Sequence, residues 1–329
     1  MTEIKQNYLI GAIERSATIA ISGHVRPDGD AIGSAMGLYY YLADNYPHIR
    51  VCVFLEEVPD SFAHIRDENA MERRCERYDL FIALDSGDVD RLGDAGKVMQ
   101  EQSDYVINID HHITNTRYGN KNIVDTKASS TCQILFTLMD EEKIGRLTAM
   151  ALYTGIIHDT GVFKHSNTSY QTMRIAGKLM RKGIAFGEII DSSFYNKTYK
   201  QLKIMGRCMQ ESKLYMKGLV IVSVMTLEDM KAFDAKPSDL DGTIDQLRTT
   251  DGVEVAILIS EREPGEYKVS MRSNQVVDVA AIGQYYGGGG HIKASGCTIK
   301  GTPEEVIEVL IRDIRSQLGD DIDDDDDDD

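Results

Sequence analysis

The sequence lacks any stretch that approaches the roughly 18 uninterrupted apolar residues of a membrane-spanning helix, so no membrane association is predicted. Its first residues, MTEIKQNYLIGAIERS, contain no apolar core followed by a small-residue cleavage site, which argues against a signal peptide. Cysteine is sparse: five residues are scattered along the chain without a CxxC pair, which favours neither a disulfide framework nor a thiolate zinc site. We therefore expect a protein of the reducing cytoplasm.

Two further signals are missing. No Gly-x-Gly-x-x-Gly follows the first candidate strand, so dinucleotide-cofactor chemistry has no support. No long basic or aromatic segment is present to follow a nucleic acid strand. The formal charge is −17, and nine of these charges are aspartates in residues 320–329, which we expect to form a disordered acidic tail. This balance disfavours long nucleic acid, but it allows a short anion bound locally.

Strands alternating with helices are the main pattern of the first half. Short β-branched or aromatic runs predict strands at 18–22, 50–54, 79–84 and 105–109, and apolar spacing predicts helices at 31–42, 130–141 and 145–157. Such alternation is typical of the α/β class, with a mostly parallel sheet and helices on both faces. Ligands of these sheets bind beyond the carboxyl ends of the strands.

The 329 residues, 42% apolar and 27% charged, are enough for two soluble domains. We expect a first domain at 1–187, a helical connector at 188–213 and a smaller α/β domain at 214–319, followed by the acidic tail. In the smaller domain, strands are predicted at 219–226, 253–260, 267–273 and 295–299, and helices near 227–233, 278–286 and 303–318.

Metal-ligand residue types cluster where the first-half strands and helices end. They are His24, Asp28 and Asp30 in one loop, Asp85 after the third strand, Asp110-His111-His112 after the fourth, and Asp159 at a helix end. Each motif also has an ordinary interpretation: an Asp-rich turn with an N-cap, a turn-opening aspartate, an exposed polar turn or a structural histidine. Together they offer carboxylates and imidazoles without cysteine, which suits Mn²⁺ better than Ca²⁺ or structural zinc.

Five motifs, in this order, resemble those of the DHH phosphoesterase superfamily with its DHHA1 domain: HVRPDGDAIGS, DSGD, DHH, HDTGVF and a late GGGGH. The resemblance extends over nearly the whole chain. It is strongest to the branch of nanoRNases and 3′-phosphoadenosine 5′-phosphate (pAp) phosphatases, whose members often form homodimers; the sequence leaves the oligomeric state open.

The resemblance implies roles for individual residues. One metal ion would be held by His24, Asp28 and Asp85, and a second by Asp30, Asp85, His111 and Asp159. Two Mn²⁺ ions per chain are implied, with Mg²⁺ or Co²⁺ as alternatives, and a hydroxide bridging them as nucleophile. His112, oriented by Asp110, would act on the reacting phosphate. The implied substrate-binding residues are Arg272, Ser273, Asn274, Gly288, Gly289, Gly290 and His291.

The leading prediction is a phosphodiesterase, acting as an exoribonuclease on very short RNA or dinucleotides and as a phosphatase on pAp. Three alternatives remain. A phosphodiesterase for cyclic or linear dinucleotides of the cyclic di-AMP type would use the same centre. A processive RecJ-like exonuclease would need a further nucleic-acid-binding domain. A nucleotide-binding regulatory module would have lost catalysis.

Overall fold

The computed structural model describes residues 2–72 and 74–319, so the predicted acidic tail at 320–329 lies outside the described residues. The chain divides into two compact units, with the boundary between Asn196 and Lys197. This boundary falls inside the segment expected to be a connector. In the part of the chain that the structure describes, no helix is long and apolar enough to cross a membrane.

The first unit alternates strands with helices. Its strands are β1 (Thr18–Ser22), β2 (Arg50–Phe54), β3 (Leu80–Leu84), β4 (Val106–Asp110) and β5 (Lys121–Val124). Its helices are α1 (Thr2–Glu14), α2 (Gly29–Asn45), α3 (Glu68–Glu72), α4 (Gly93–Glu101), α5 (Thr131–Leu138), α6 (Arg146–Asp159), α7 (Tyr170–Met180) and α8 (Phe186–Ile190). Short 3-10 turns lie at Asp60–Phe62, Asp90–Leu92 and Glu141–Lys143, and a π-helical turn at Asp191–Tyr195.

The first-unit strands form a parallel sheet in the order β2-β1-β3-β4-β5. The chain leaves β1 toward one edge of the sheet and later returns to its other side at β3, so the strand order reverses between β1 and β3. In open α/β sheets, ligands bind beyond the carboxyl ends of the strands at such a reversal. The predicted α/β class with a parallel sheet is confirmed.

Alternating side chains of the sheet enter two separate cores. Ile19, Ile21 and Ile82 point to one face, where they join a large apolar cluster with helices α2, α5 and α6. Ala20 and Phe81 point to the opposite face, where a smaller cluster forms. This alternation follows from the two-residue period of a strand. It explains why the strands read as continuous apolar runs: both of their faces are buried.

Glycines bring α2 and α6 into close contact. A Cβ atom placed on Gly33 would lie 2.5 Å from the Ala151 carbonyl oxygen, and one on Gly37 would lie 2.9 Å from the Leu152 Cδ2 atom. Gly29, Gly33 and Gly37 are spaced by four residues, so they lie in one row along α2. The two helices are therefore held at a backbone-to-backbone distance that no larger residue permits.

The second unit is a mixed sheet with helices. Its strands are β6 (Lys213–Tyr215), β7 (Val220–Met225), β8 (Val255–Glu263), β9 (Glu266–Ser273), β10 (Gly289–His291) and β11 (Ala294–Lys300), in the order β10-β11-β9-β8-β7-β6. The pair β7 and β8 is parallel, and the other pairs are antiparallel. Its helices are α9 (Tyr199–Gln210), α10 (Leu227–Ala232), α11 (Thr243–Arg248), α12 (Val279–Tyr285) and α13 (Pro303–Leu318), with a 3-10 turn at Pro237–Leu240.

Both faces of the second sheet are covered. Helices α12 and α13 pack against one face through residues such as Ile282 and Leu310. Helix α9 packs against the other, where Ile204 and Cys208 are fully buried together with Ile221. The part of the expected connector from Tyr199 onward thus belongs to the core of the second unit.

Candidate metal centre

The loop between β1 and α2 supplies three of the predicted ligands. Asp28 is the N-cap of α2, and its Oδ1 accepts hydrogen bonds from the backbone N–H groups of Asp30 (3.0 Å) and Ala31 (3.1 Å). Its Oδ2 lies 3.6 Å from the His24 Nε2. The ordinary interpretation as an N-cap and the metal-ligand interpretation are therefore compatible, because each uses a different carboxylate oxygen.

His24 is held in a defined tautomer. Its Nδ1–H donates to the Val25 carbonyl oxygen at 2.8 Å, and because a carbonyl can only accept, Nδ1 carries the proton. Its Nε2 then faces the Asp28 and Asp85 Oδ2 atoms, each 3.6 Å away, so that a cation between them could take the Nε2 lone pair. A backbone acceptor on one ring nitrogen and an available lone pair on the other is the usual arrangement of a metal-binding histidine.

Asp85 directly follows β3 and adopts a left-handed backbone conformation with φ +53°. This region is uncommon for residues other than glycine, and strained backbone of this kind concentrates at functional sites. The side chain is only 2% exposed, and its Oδ1 accepts a hydrogen bond from the Thr131 hydroxyl at 3.1 Å. Asp85 is thus fixed by both its backbone and its side chain.

The Asp110-His111-His112 triplet lies at the carboxyl end of β4. Asp110 is fully buried, and its Oδ1 accepts from the His111 backbone N–H (2.9 Å) and the His112 Nδ1–H (2.7 Å). The His111 Nε2 lies 3.0 Å from the Asp159 Oδ2 and 3.4 Å from the Asp85 Oδ1. The two adjacent histidines therefore have different partners, one among the predicted ligands and one on Asp110.

Asp159 is the last residue of α6 and begins a strained turn. Val162 and Phe163 both have positive φ angles (55° and 65°), which is rare for a β-branched residue such as valine. The Asp159 carbonyl oxygen accepts hydrogen bonds from the Asn167 side chain (3.1 Å) and the His165 Nδ1 (3.3 Å). The turn is thereby tied down around the carboxylate that faces His111.

These side chains form three groups, in each of which three donor atoms lie within 4.8 Å of one another. The groups are His24, Asp28 and Asp85; Asp30, His111 and Asp159; and Asp85, His111 and His112. The structure thus brings all six predicted metal-ligand residues together, and Asp85 belongs to two groups.

Buried negative charge dominates this centre. Burial raises the pKa of Asp30 well above its ordinary value, and the carboxylates of Asp85 and Asp159 raise it further. Burial likewise raises the pKa of Asp159. For His111, burial opposes protonation, but hydrogen bonds to Asp159 and Asp85 raise its pKa to about 12. These carboxylates repel one another and keep a proton on the buried His111 imidazole. A divalent cation bound among them would neutralise their negative charge.

Thr131 and Cys132, at the start of α5, support the centre and were missed in the sequence. The Asp30 Oδ2 accepts from the Thr131 backbone N–H at 2.6 Å, and its Oδ1 accepts from the Cys132 N–H at 3.0 Å. The Asn115 side chain likewise donates to the Asp110 Oδ2 at 2.6 Å. For Thr131 and Cys132, the only sequence signal was the polar run Ser129-Ser130-Thr131 before a helix, which is typical of an ordinary N-cap.

The comparisons with known proteins agree with this geometry. Residues 18–156 match the DHH family, N-terminal domain, and residues 218–320 match the DHHA1 domain. The bifunctional oligoribonuclease and PAP phosphatase NrnA of Thermus thermophilus is 31% identical to this chain over 314 residues, covering 91% of this chain and 90% of that protein. The chain belongs to the DHH/DHHA1 phosphoesterase family.

Two further relatives support this assignment. The bifunctional oligoribonuclease and PAP phosphatase NrnA of Bacillus subtilis is 30% identical, covering 88% of this chain and 92% of that protein. The crystal structure of an exopolyphosphatase-related protein from Bacteroides fragilis matches with a TM-score of 0.82 at 25% identity, covering 95% of this chain and 96% of that one. The chain is therefore an NrnA-like member of a family of metal-dependent phosphoesterases, and its buried His/Asp clusters are consistent with the divalent metal sites of that family.

In the DHHA1 domain, three predicted substrate-binding residues already have internal partners. Arg272 pairs with Asp245 at 3.2 Å. The buried Ser273 hydroxyl donates to the Val277 carbonyl oxygen at 2.6 Å. The Asn274 amide accepts from Arg248 (2.8 Å) and donates to the Arg248 and Val253 carbonyl oxygens. A ligand would therefore have to compete with these contacts, and a substrate-binding role for these residues stays a prediction.

The glycines of the DHHA1 domain differ in their surroundings. A Cβ atom on Gly288 would lie 2.1 Å from the Gly296 carbonyl oxygen, and one on Gly290 would lie 2.4 Å from the Ala294 carbonyl oxygen. Close approach to β11 thus requires glycine at both positions. By contrast, a Cβ on Gly289 would meet no atom of the described residues within 4 Å, and His291 is exposed. All residues of 287–291 are exposed, and Gly289 in addition has open space at its Cβ position.

Proposed function

We propose that this chain hydrolyses phosphate esters of very short nucleotides, namely RNA dinucleotides and short oligoribonucleotides, and also dephosphorylates 3′-phosphoadenosine 5′-phosphate. The NrnA relatives that support this substrate class are named as bifunctional oligoribonucleases and PAP phosphatases and match about nine tenths of this chain. The absence of a long basic or aromatic segment in the sequence also favours a short substrate over a long strand.

The position of Asp85 carries the proposal. Its carboxylate lies 3.6 Å from the His24 Nε2 on one side and 3.4 Å from the His111 Nε2 on the other. A buried carboxylate between two groups of donors is well suited to bridge two metal ions. We propose that His24, Asp28 and Asp85 would hold one Mn²⁺ ion, and that a second would be held by Asp30, Asp85, His111 and Asp159.

Bound divalent ions would polarise the phosphate and make a water molecule a stronger nucleophile at neutral pH. The chain's own part is to fix the ligands in advance. The Val25 carbonyl sets the His24 tautomer, and the start of α5 orients Asp30 through two backbone N–H groups. Such support keeps the carboxylates in place although they repel one another.

His112 is proposed to act on the phosphate itself. The hydrogen bond from its Nδ1–H to Asp110 raises the pKa of His112, while burial opposes this change. The Asp110 carboxylate, held by His112 and Asn115, stays ionised: burial opposes its ionisation, but these hydrogen bonds lower its pKa. A protonated His112 can then donate from Nε2 to the negative charge that develops on the phosphate.

In the DHHA1 domain, we propose that Gly289 and His291 bind a phosphate or nucleotide portion of the substrate. Gly289 leaves its backbone open to close approach, and the exposed His291 adds a donor. Arg272 would contribute if a ligand phosphate displaced its partner Asp245.

Substitution Asp85→Ala tests the proposed function. We expect the purified variant to lose turnover of an RNA dinucleotide and of pAp in the presence of Mn²⁺, because the carboxylate shared by the two groups is gone. The matched control is Asp90→Asn, which alters a 91% exposed aspartate five residues further along and is expected to keep wild-type activity. Near-normal turnover by a folded Asp85→Ala protein would contradict the proposal.

A further inference from the structure

Gly29 separates two carboxylates that lie in different groups of the metal centre. Asp28 belongs to the group with His24 and Asp85, and Asp30 belongs to the group with His111 and Asp159. Gly29 is the first residue of α2, and its backbone sets the angle between these two side chains. Whatever touches Gly29 therefore affects both groups at once.

The side chain that touches Gly29 is His158. A Cβ atom on Gly29 would lie 2.2 Å from the His158 Cγ, 2.5 Å from its Cβ and 2.6 Å from its Cδ2. The imidazole ring thus lies directly against the Gly29 α-carbon and leaves no room for any other residue there. Gly29 thus continues the row of Gly33 and Gly37 along α2, and it contacts α6 at the end that carries Asp159.

Aromatic rings hold His158 in this position. Its ring centroid lies 5.0 Å from that of Phe62 and 5.4 Å from that of Phe194. Its Nε2 is buried and has no hydrogen-bond partner among the described residues. The imidazole packs against its neighbours as a flat, rigid ring, and the Ser193 backbone also forms a hydrogen bond with it.

We propose that His158 is a positioning residue for the metal centre. Its ring packs against the Gly29 α-carbon and so sets the separation of the Asp28 and Asp30 carboxylates. This inference rests on the proposed metal-binding function. The adjacent Asp159 would be aligned with the same two carboxylates because it follows His158 in the chain. The role depends on the shape of the ring, so phenylalanine should replace histidine and alanine should not.

The test is Mn²⁺ binding to the full-length protein, measured by calorimetry without substrate, together with the melting temperature. His158→Ala is expected to weaken Mn²⁺ binding about tenfold, as is typical when a residue that orients metal ligands is removed. His158→Phe is expected to stay close to wild type. Gly29→Ala should bind Mn²⁺ still more weakly. The double variant Gly29→Ala/His158→Ala should recover only part of this loss, because alanine removes the ring atoms but keeps the Cβ atom 2.5 Å from the added methyl group.

Gly37→Ala is the matched control, since it adds the same methyl group to the same row of α2, two turns away from the carboxylates. It is expected to lower the melting temperature and to leave Mn²⁺ affinity unchanged. Should Gly29→Ala not fold, the comparison of His158→Ala with His158→Phe decides. Wild-type affinity in His158→Ala, or a loss in His158→Phe as large as in His158→Ala, would overturn the inference. If the wild-type protein itself binds no Mn²⁺, the proposed function fails, and this inference fails with it.

Discussion

Thr131 contacts carboxylates of two different groups in the metal centre. Its hydroxyl donates to Asp85 at 3.1 Å, and its backbone N–H donates to Asp30 at 2.6 Å. We predict that Thr131→Val, which keeps the shape of the side chain but removes the hydroxyl, weakens Mn²⁺ binding by about 10- to 100-fold. Mn²⁺ titration of the purified variant measures this effect.

Thr131→Ser is the matched control for this prediction, because it keeps the hydroxyl and loses only a methyl group. It should bind Mn²⁺ nearly as tightly as wild type. If the valine and serine variants bind equally well, the Thr131 hydroxyl has no part in orienting Asp85.

Gly289 provides a second prediction for a single residue. Its Cβ position is open among the described residues, so Gly289→Ala should leave the melting temperature nearly unchanged. If a ligand phosphate accepts a hydrogen bond from the backbone here, the added methyl group should weaken that charged hydrogen bond. A loss of about 1.5 kcal/mol in binding free energy corresponds to roughly a tenfold increase in KM. Steady-state kinetics with an RNA dinucleotide measure this change.

Gly288→Ala is the contrasting variant, because its Cβ would lie 2.1 Å from the Gly296 carbonyl oxygen. It should lose stability as well as activity. An unchanged KM in Gly289→Ala would remove this glycine from the proposed substrate site.

Some residues of the candidate sites could be predicted from the sequence and others could not. The ligand candidates stand out because aspartates and histidines follow apolar strands at recognisable spacings. Thr131 and Asn115 do not, because threonine and asparagine near turns have many ordinary uses and their partners are distant in sequence. The glycine segment stands out in the sequence. However, the sequence could not show that Gly288 and Gly290 must be glycine because β11 lies so close to them.

At the level of secondary-structure elements, glycines of α2 permit its close contact with α6. We predict that Gly33→Ala lowers the free energy of unfolding by about 1–3 kcal/mol, because its Cβ would meet the Ala151 carbonyl at 2.5 Å and the Gly155 nitrogen at 2.8 Å. Thermal unfolding of the purified variant checks this prediction.

Gly177→Ala, in α7 of the same unit, should have the opposite effect. Apart from its chain neighbours and the backbone of its own helix, no atom of the described residues lies within 4 Å of its Cβ position, so alanine should stabilise the helix by about 0.5–1 kcal/mol. Equal destabilisation by both substitutions would mean that the close helix contact is not what requires Gly33.

Most elements were predictable because their patterns are long or strongly apolar. Strands β1 and β2 agree with the prediction in both bounds, and α13 agrees as well. Strands β5, β6 and β10 were not predicted, since each has only three or four residues and forms through pairing with a distant strand. The glycine row of α2 is visible in the sequence, but its partner helix lies more than a hundred residues further along.

At the level of the whole molecule, each unit has its own buried core, and the predicted metal ligands all lie in the first unit. The order of the motifs identified the family from the sequence: three follow strands of the first sheet, one lies at the end of α6 and the last lies in the second unit. The choice of substrate was not readable in the same way, because it depends on residues that are far apart in the chain.

The proposed activity and substrate class are tested together by Mn²⁺-dependent hydrolysis, measured in parallel on a labelled RNA dinucleotide, a longer single strand, 3′-phosphoadenosine 5′-phosphate and cyclic di-AMP. We predict that the dinucleotide and 3′-phosphoadenosine 5′-phosphate turn over fastest, and only when a divalent metal is present. Faster cleavage of the long strand or of cyclic di-AMP would contradict the proposed substrate class. The absence of any hydrolysis by protein that has bound Mn²⁺ would contradict the proposal that this chain is an active phosphoesterase.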